Sequence, residues 1–369
     1  MHYALLLAAF ASLWTFRAGS AVVAAPAASG SNVVVADTQG DVFALVRATG
    51  KVRWSTIVGN GVWSAPIVFG NRVIVSTGDH EFVAVDPPMY AVAGAHPSGI
   101  VALDKRTGGI TWEYDLAGSG APAPALSGST LIHHDGSSEV LALDAHDGAY
   151  RWRTFAASTA AWNAGVTVGS DRFATSGMFP NSVLILRVRD GVVIHRISFP
   201  PRALGFAQAR IATDGKRIYG TYFLTEPLPV EHLYAVDVNS ARVLWDHAVD
   251  QGANAAQLPQ LTVRGGIVYA GSPFRNMMQA FRAANGTKIW EAALRGRSVG
   301  GAVIQNDTVY AADGGGMITM LDAQTGAVRG SYNAGSDMQD STPAIIGDML
   351  VVGSANGTVH SIPLAEIRP

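Results

Sequence analysis

Five tryptophans in this chain close the same short phrase, and its recurrence leaves few folds open. The phrase reads ALVRATGKVRW from Ala44 to Trp54, ALDKRTGGITW from Ala102 to Trp112 and ALDAHDGAYRW from Ala142 to Trp152. It returns as AVDVNSARVLW from Ala235 to Trp245 and AFRAANGTKIW from Ala280 to Trp290. Two weaker copies, ILRVRDGVVIH ending at His195 and MLDAQTGAVRG ending at Gly330, fill the gaps without the aromatic. Self-similarity at a period of roughly 40 to 60 residues is the mark of an array or a propeller, whose units bury their faces against one another.

The second copy shows the unit. SAPIVF at Ser64–Phe69 meets a turn at Gly70 and Asn71, RVIVSTG follows at Arg72–Gly78, and after an insert come GIVALD at Gly99–Asp104 and ITWEYDL at Ile110–Leu116. Short runs of Val, Ile, Ala and Leu bounded by Gly, Asn and Asp read as strands joined by hairpins, four to a unit. Gly50, Gly108, Gly148, Gly191, Gly286 and Gly326 fall in the turn between the last two strands. A tight hairpin needs positive φ there, and the preceding Thr, Asp or Asn can bond its own turn backbone. The tryptophan then sits on the outermost strand, where a flat ring is expected to stack on the turn of the adjacent unit.

This pattern resembles the pyrroloquinoline quinone (PQQ)-type repeat, whose outer-strand tryptophans form the docking motif of quinoprotein-like β-propellers. The resemblance covers nearly the whole chain and implies an all-β, eight-bladed propeller of four-stranded antiparallel blades. Val46, Arg187 and Arg282 depart from it at the Asp position, Ser240 and Ala241 at Thr-Gly, and His195 and Gly330 at Trp. Inner strands are expected at Ala24–Ser29, Ser64–Phe69, Ala121–Leu126, Asn163–Val168 and Ala207–Thr213, then near Pro259–Val263, Gly300–Gln305 and Ser341–Ile346.

The last unit ends at GTVHSIPL, Gly357–Leu364, one strand short. The missing strand is found at the other end of the chain: WTFRAGSAVVAAPAASGSNVVVA from Trp14 aligns with WSTIVGNGVWSAPIVFGNRVIVS from Trp54, matching Pro26 with Pro66. Ser12–Arg17 is therefore expected to pair with Thr358–Ile362 and close the ring, which removes an open sheet edge. Trp14 becomes a sixth docking tryptophan beside Trp54, Trp112, Trp152, Trp245 and Trp290. Residues 12–369 then form a single propeller domain, and 1–11 are a signal remnant or part of a strand. The apolar run ALLLAAFASLW has the length of a secretory signal core, lacks a basic n-region, and is shorter than the roughly 18 residues of a spanning helix.

Composition narrows function by exclusion. Lys and Arg (26) nearly balance Asp and Glu (28), so nothing in the charge calls for nucleic acid or an anionic membrane surface. With no cysteine there is no disulfide, thiolate metal site or cysteine nucleophile. Neither a phosphate-cradling loop nor an H-E-x-x-H or G-x-S-x-G motif occurs.

What remains are residues the blade pattern does not require. The longest insertion, Asp79–Ser98, holds Asp79, His80, Glu81, Tyr90 and His96 as a candidate binding loop; a second excursion runs from Phe223 to His232. Both fall on one face of a propeller, where loops beyond the structural minimum tend to bind. Trp63 and Trp162 lie outside the docking position, each ahead of an inner strand, so they line the funnel mouth or plug it. Asn163, Gln257, Gln339 and Asp340 fall at comparable places and would give that mouth an amide lining. His133 and His134 alternate across a strand, which argues against joint metal ligation beside Asp135, and no metal is expected.

The resemblance implies two functions. The non-enzymatic branch, similar to the propeller lipoprotein of the bacterial outer-membrane protein assembly machinery, implies a protein-binding or small polar ligand-binding scaffold without a cofactor. Such a scaffold would be exported to the periplasm or beyond, without a transmembrane segment, and monomeric, with its partner on the face of the 79–98 and 223–232 loops. The quinoprotein dehydrogenases imply PQQ with a calcium ion in the funnel, acting on an alcohol or a sugar. Neither the lipidated cysteine of the first branch nor the adjacent cysteine pair of the second is present in this sequence.

Overall fold

The computed structural model describes residues 13–79, 83–84, 90–91, 96–156, 165–177, 181–200, 203–204, 211–224, 228–253 and 258–368. Eight antiparallel sheets follow one another around a ring, with consecutive inner strands packed side by side. Blade 1 comprises Ala27–Ser29, Asn32–Ala36, Asp41–Val46 and Val52–Ile57, and blade 2 comprises Ile67–Phe69, Arg72–Thr77, Ser98–Asp104 and Ile110–Leu116. Blades 3, 4, 6 and 7 repeat the order from Ala125, Val166, Thr262 and Ala302. Blade 5 begins at Ala212 and carries an extra pairing of Ala203–Leu204 with Arg217–Leu224.

Ring closure follows the sequence reading. Trp14–Arg17 is the outer strand of blade 8, with Trp14 opposite Ser361, Thr15 opposite His360, Phe16 opposite Val359 and Arg17 opposite Thr358. The expected inner strands begin about three residues too early, since the ladder starts at Ala27, Ile67, Ala125, Thr262 and Ala344. Residues just ahead of them, such as Ala24, Ala25, Ser64 and Ala123, line an axial cavity where the blades converge and make no strand pairing there.

Each letter of the repeated phrase meets a local demand. Its alanine lies directly across the ladder from the tryptophan, as in Ala44 with Trp54, Ala102 with Trp112, Ala142 with Trp152, Ala235 with Trp245 and Ala280 with Trp290. The small side chain leaves room for the ring. A register shift follows that alanine in each of these blades, a bulge that adds local twist. The phrase's aspartate, as in Asp104, Asp237 and Asp322, accepts backbone N–H bonds from its own turn at 2.8–3.1 Å.

Its glycine receives the indole of the preceding blade. A Cβ added to Gly108 would lie 2.7 Å from the Trp54 ring; Gly148 stands so to Trp112, Gly191 to Trp152, Gly286 to Trp245, Gly326 to Trp290 and Gly50 to Trp14. Trp14, Trp54, Trp152, Trp245 and Trp290 also donate their indole N–H to a carbonyl of that neighbour, at 2.8–3.2 Å.

Two junctions lack this arrangement and are filled differently. Between blades 4 and 5, where His195 replaces Trp and Ala241 takes the glycine position, Phe199 packs on Tyr222 and Tyr234 with ring centroids 5.7 and 4.6 Å apart. Between blades 7 and 8, the borrowed outer strand brings no turn for a ring at position 330 to meet. Here the C-terminal segment returns: Ile367 is buried against Tyr310, Leu350 and Ile362, and Ser331 donates its N–H to the Arg368 carbonyl at 2.7 Å.

Candidate functional site

Hairpin turns between first and second, and third and fourth, strands open on one side of the ring, which we call the turn face. Second-to-third strand loops and interblade connections open on the other, the insertion face. The axial cavity of about 190 Å³ is lined by Ala25, Trp63, Ala123, Val166, Gln260 and Thr342 among others. Trp63 is half-buried and donates its indole N–H to the Gly78 carbonyl at 2.9 Å. Thr342 donates to the Gln260 side-chain oxygen at 3.0 Å.

Among the described residues no charged side chain lines that cavity. Small-molecule sites typically hold about 300–1,000 Å³ with a few converging polar groups. A cofactor bearing several carboxylates and a divalent cation meets neither guanidinium nor carboxylate there, so the described lining does not fit PQQ with calcium. Among the described residues no three His, Asp or Glu side chains converge on a point that could hold a metal.

The sequence-derived candidates divide. Gln339 is half-buried, and its carbonyl accepts the N–H groups of Val299 and Gly300, both at 2.8 Å; Asp340 beside it is exposed. Trp162, Asn163 and Gln257 lie outside the described residues, as do His80 and Glu81. Asp79 and His96 meet at the base of the long insertion: Asp79 accepts the His96 backbone N–H at 2.9 Å and contacts its ring Nδ1 at 3.2 Å. Ser119 from the next connection donates to the Asp79 carbonyl at 2.6 Å, and Asn60 from the previous one donates to the Pro97 carbonyl at 3.1 Å. The insertion is thus clamped at its root by both flanking blades. Tyr90 belongs to a short strand pair within it, Val83–Ala84 with Tyr90–Ala91.

The second excursion is corrected. Its ends are strand, because Arg217–Leu224 and Val230–Asp237 pair along their whole length from Leu224 with Val230. The alternating apolar residues VEHLYAV extend the ladder, and Leu228 stands half-exposed at the tip of the lengthened hairpin. Two further apolar side chains are exposed on the insertion-face ends of outer strands, Ile57 of blade 1 (72 %) and Phe155 of blade 3 (60 %), flanking the blade that carries the long loop.

Sequence reasoning missed the lengthened hairpin's carboxylates. Glu231 lies opposite Asp250 and is fully buried, and burial together with the Asp250 charge pushes its carboxyl well above the usual range. Asp250 accepts from Ser272 and from Arg275 Nε at 3.1 Å. Also missed were Asp37 and Asp313, which share one task with Asp135. Each is buried and accepts N–H groups from its own loop, and each reaches one from the preceding connection: Ser20, Arg295 and Gly118 respectively, at 3.1–3.2 Å. Burial raises Asp135 and Asp313, with those N–H bonds opposing it. The signal was an aspartate opening a short turn (DTQGD, DGSSE and DGGGM) at the same point of three blades.

His133 and His134 do part, as alternation requires: His134 Nδ1 sits 2.9 Å from Thr175 Oγ1, whereas both His133 ring nitrogens are buried without a hydrogen-bond partner among the described residues. Burial holds His133 down to about 3, so it is neutral.

A family model described as outer membrane protein assembly factor BamB matches residues 8–88, 89–219 and 203–368. The outer membrane protein assembly factor BamB of Moranella endobia is 24 % identical over 91 % of this chain and 84 % of its own. Among solved structures, BamB from Moraxella catarrhalis superposes with a TM-score of 0.69 at 17 % identity, covering 94 % of this chain and 97 % of its own. A europium-containing methanol dehydrogenase reaches the same TM-score at 12 % identity, covering 92 % and 85 %. The fold is common to assembly factor and enzyme, so likeness of fold does not choose between them.

Proposed function

Because the chain belongs to the family of the outer membrane protein assembly factor BamB, we propose that it is a non-catalytic propeller that holds protein partners of outer membrane protein assembly, on its insertion face, in the periplasm. The family match along the whole ring carries this reading. Three features of the molecule support it. The long insertion is anchored at its root by Asp79, His96, Ser119 and Asn60, the way a rigid platform presents a binding loop. Leu228, Ile57 and Phe155 expose apolar surface on the same side, of the kind a partner covers. The six stacked tryptophans serve as docking groups between blades, which leaves Trp63, Gln339 and Asp340, of the candidates among the described residues, as central contacts of that face.

Deleting the gene and measuring the outer-membrane protein content tests the role. The reading expects a lowered content, restored by the wild-type gene; an unchanged content overturns it. The quinoprotein alternative is tested by adding PQQ with calcium to the purified protein: a rise in melting temperature with dye-linked alcohol or sugar oxidation would replace the scaffold reading.

A further inference from the structure

The turn face carries a second candidate site, unrelated to the partner surface on the opposite side. Between blades 3 and 4 lies a cleft of about 430 Å³, lined by Thr130, Arg151, Asp171, Arg187 and Arg189 with the Ser127–Gly128 and Ser170 turns. Three guanidinium groups line it against one carboxylate, Asp171, which is itself paired with Arg172. Its volume falls within the roughly 300–1,000 Å³ of small-ligand sites.

Blade geometry does not require this charge. Arg151 belongs to the framework, since it bonds Thr130 and Asp144 as Arg329 of blade 7 bonds Thr308 and Asp322. Arg187 stands where other blades place the turn-capping aspartate, so the charge at the mouth is reversed there. Asp190 takes over the turn, accepting from the Arg187 Nε and Nη2 atoms at 2.7–3.0 Å and from the Val192 N–H at 3.3 Å. That leaves Arg187 Nη1 and both terminal nitrogens of Arg189 without a partner among the described residues, and Arg189 is three-quarters exposed at the rim. Guanidinium groups bind carboxylate and phosphate, and the open terminal fork of Arg189 beside the unengaged Nη1 of Arg187 presents donors to a ligand with more than one oxyanion group, while Arg151, held by Thr130, Ser129 and Asp144, contributes a fixed positive wall.

We propose that this cleft binds a small polyanion bearing two or more carboxylate or phosphate groups, with Arg187 and Arg189 as the recognising residues and Arg151 as the fixed wall. Its place away from the insertion face makes it independent of the partner-binding reading.

Titration calorimetry of the full chain at low ionic strength, with citrate in one arm and pyrophosphate in the other, tests it. Binding with Kd below about 1 mM is expected in at least one arm; citrate alone assigns a polycarboxylate, pyrophosphate alone a phosphate compound. Arg187→Gln and Arg189→Gln are each expected to weaken binding by about tenfold, with an unchanged melting temperature showing that the fold is intact. Arg53→Gln, on the exposed outer strand of blade 1, serves as a control and is expected to bind as wild type. Failure of both anions to bind, or wild-type binding by the Arg187→Gln/Arg189→Gln double variant, overturns the proposal.

Discussion

The indole of Trp14 lies on Gly50: a Cβ placed on that glycine would come within 2.6 Å of the ring, and the indole N–H reaches the Arg47 carbonyl at 2.8 Å. Trp14 rides on the strand that completes blade 8, and Gly50 turns the outer hairpin of blade 1. One contact therefore ties the N-terminal strand, the C-terminal blade and the first blade together.

The same pairing inside the chain can be weighed by a double-mutant cycle. Trp54→Ala is expected to cost about 3–5 kcal/mol, as for other buried tryptophans. Gly108→Ala puts a methyl group against the ring at positive φ and should also destabilise, whereas Gly30→Ala, at positive φ with open space around it, carries only the backbone term. Denaturant unfolding of the two singles and the double is expected to give a non-additive Trp54–Gly108 pair. Strict additivity would remove the stacking role.

Ring closure is testable by a disulfide, helped by the absence of native cysteine. Arg17 and Thr358 are direct cross-strand partners. Arg17→Cys with Thr358→Cys should oxidise within one chain and raise the melting temperature over the reduced form, because the cross-link joins segments nearly a whole chain apart. Thiols that stay free under oxidising conditions would show that the two strands do not meet.

The blade 7–8 junction depends on the returning C-terminal segment. Ile367→Ala is expected to destabilise by about 2–4 kcal/mol, like other buried large-to-alanine changes, while Val328→Ala at the exposed start of blade 7's outer strand should change stability by less than about 0.5 kcal/mol. Thermal unfolding of both variants decides whether that segment stands in for the missing ring.

Glu231 sets a pH dependence. Its folded carboxyl is raised above the ordinary value of 4.5, chiefly by burial and then by Asp250. A raised carboxyl favours the folded state fully below the unfolded value, and that stability is lost as pH rises toward the folded value. Glu231→Gln should therefore be more stable than wild type at pH 8, with the advantage shrinking as pH falls toward 4. Parallel pH–stability curves for the two proteins would contradict this.

Much of the fold was legible because each repeated residue answers a purely local need. Alanine opposite tryptophan, aspartate capping its turn and glycine beneath the preceding blade's indole all recur within a few residues of one another. Position 14 was recoverable because Trp14 carries the same surroundings as Trp54. The starts of the inner strands were not, since Ala24 to Pro26 and their counterparts look like strand and are kept from pairing by convergence at the axis. Nor were Phe199 with Tyr222, Ile367 with Leu350, or Glu231 opposite Asp250, because those contacts depend on register and on segments far apart in the chain. The arginine cleft assembles residues 127–130, 151, 170–171 and 187–189, and only the ring brings them together.

The partner surface is tested most directly by site-specific photo-cross-linking in the living cell. Photoreactive residues at Leu228 and Asp340 on the insertion face are compared with one at Lys51 on the turn face; all three positions are exposed. The account predicts adducts with a component of the outer membrane protein assembly machinery from positions 228 and 340 and none from 51. No adduct from the insertion face, or the same adduct from position 51, would contradict it.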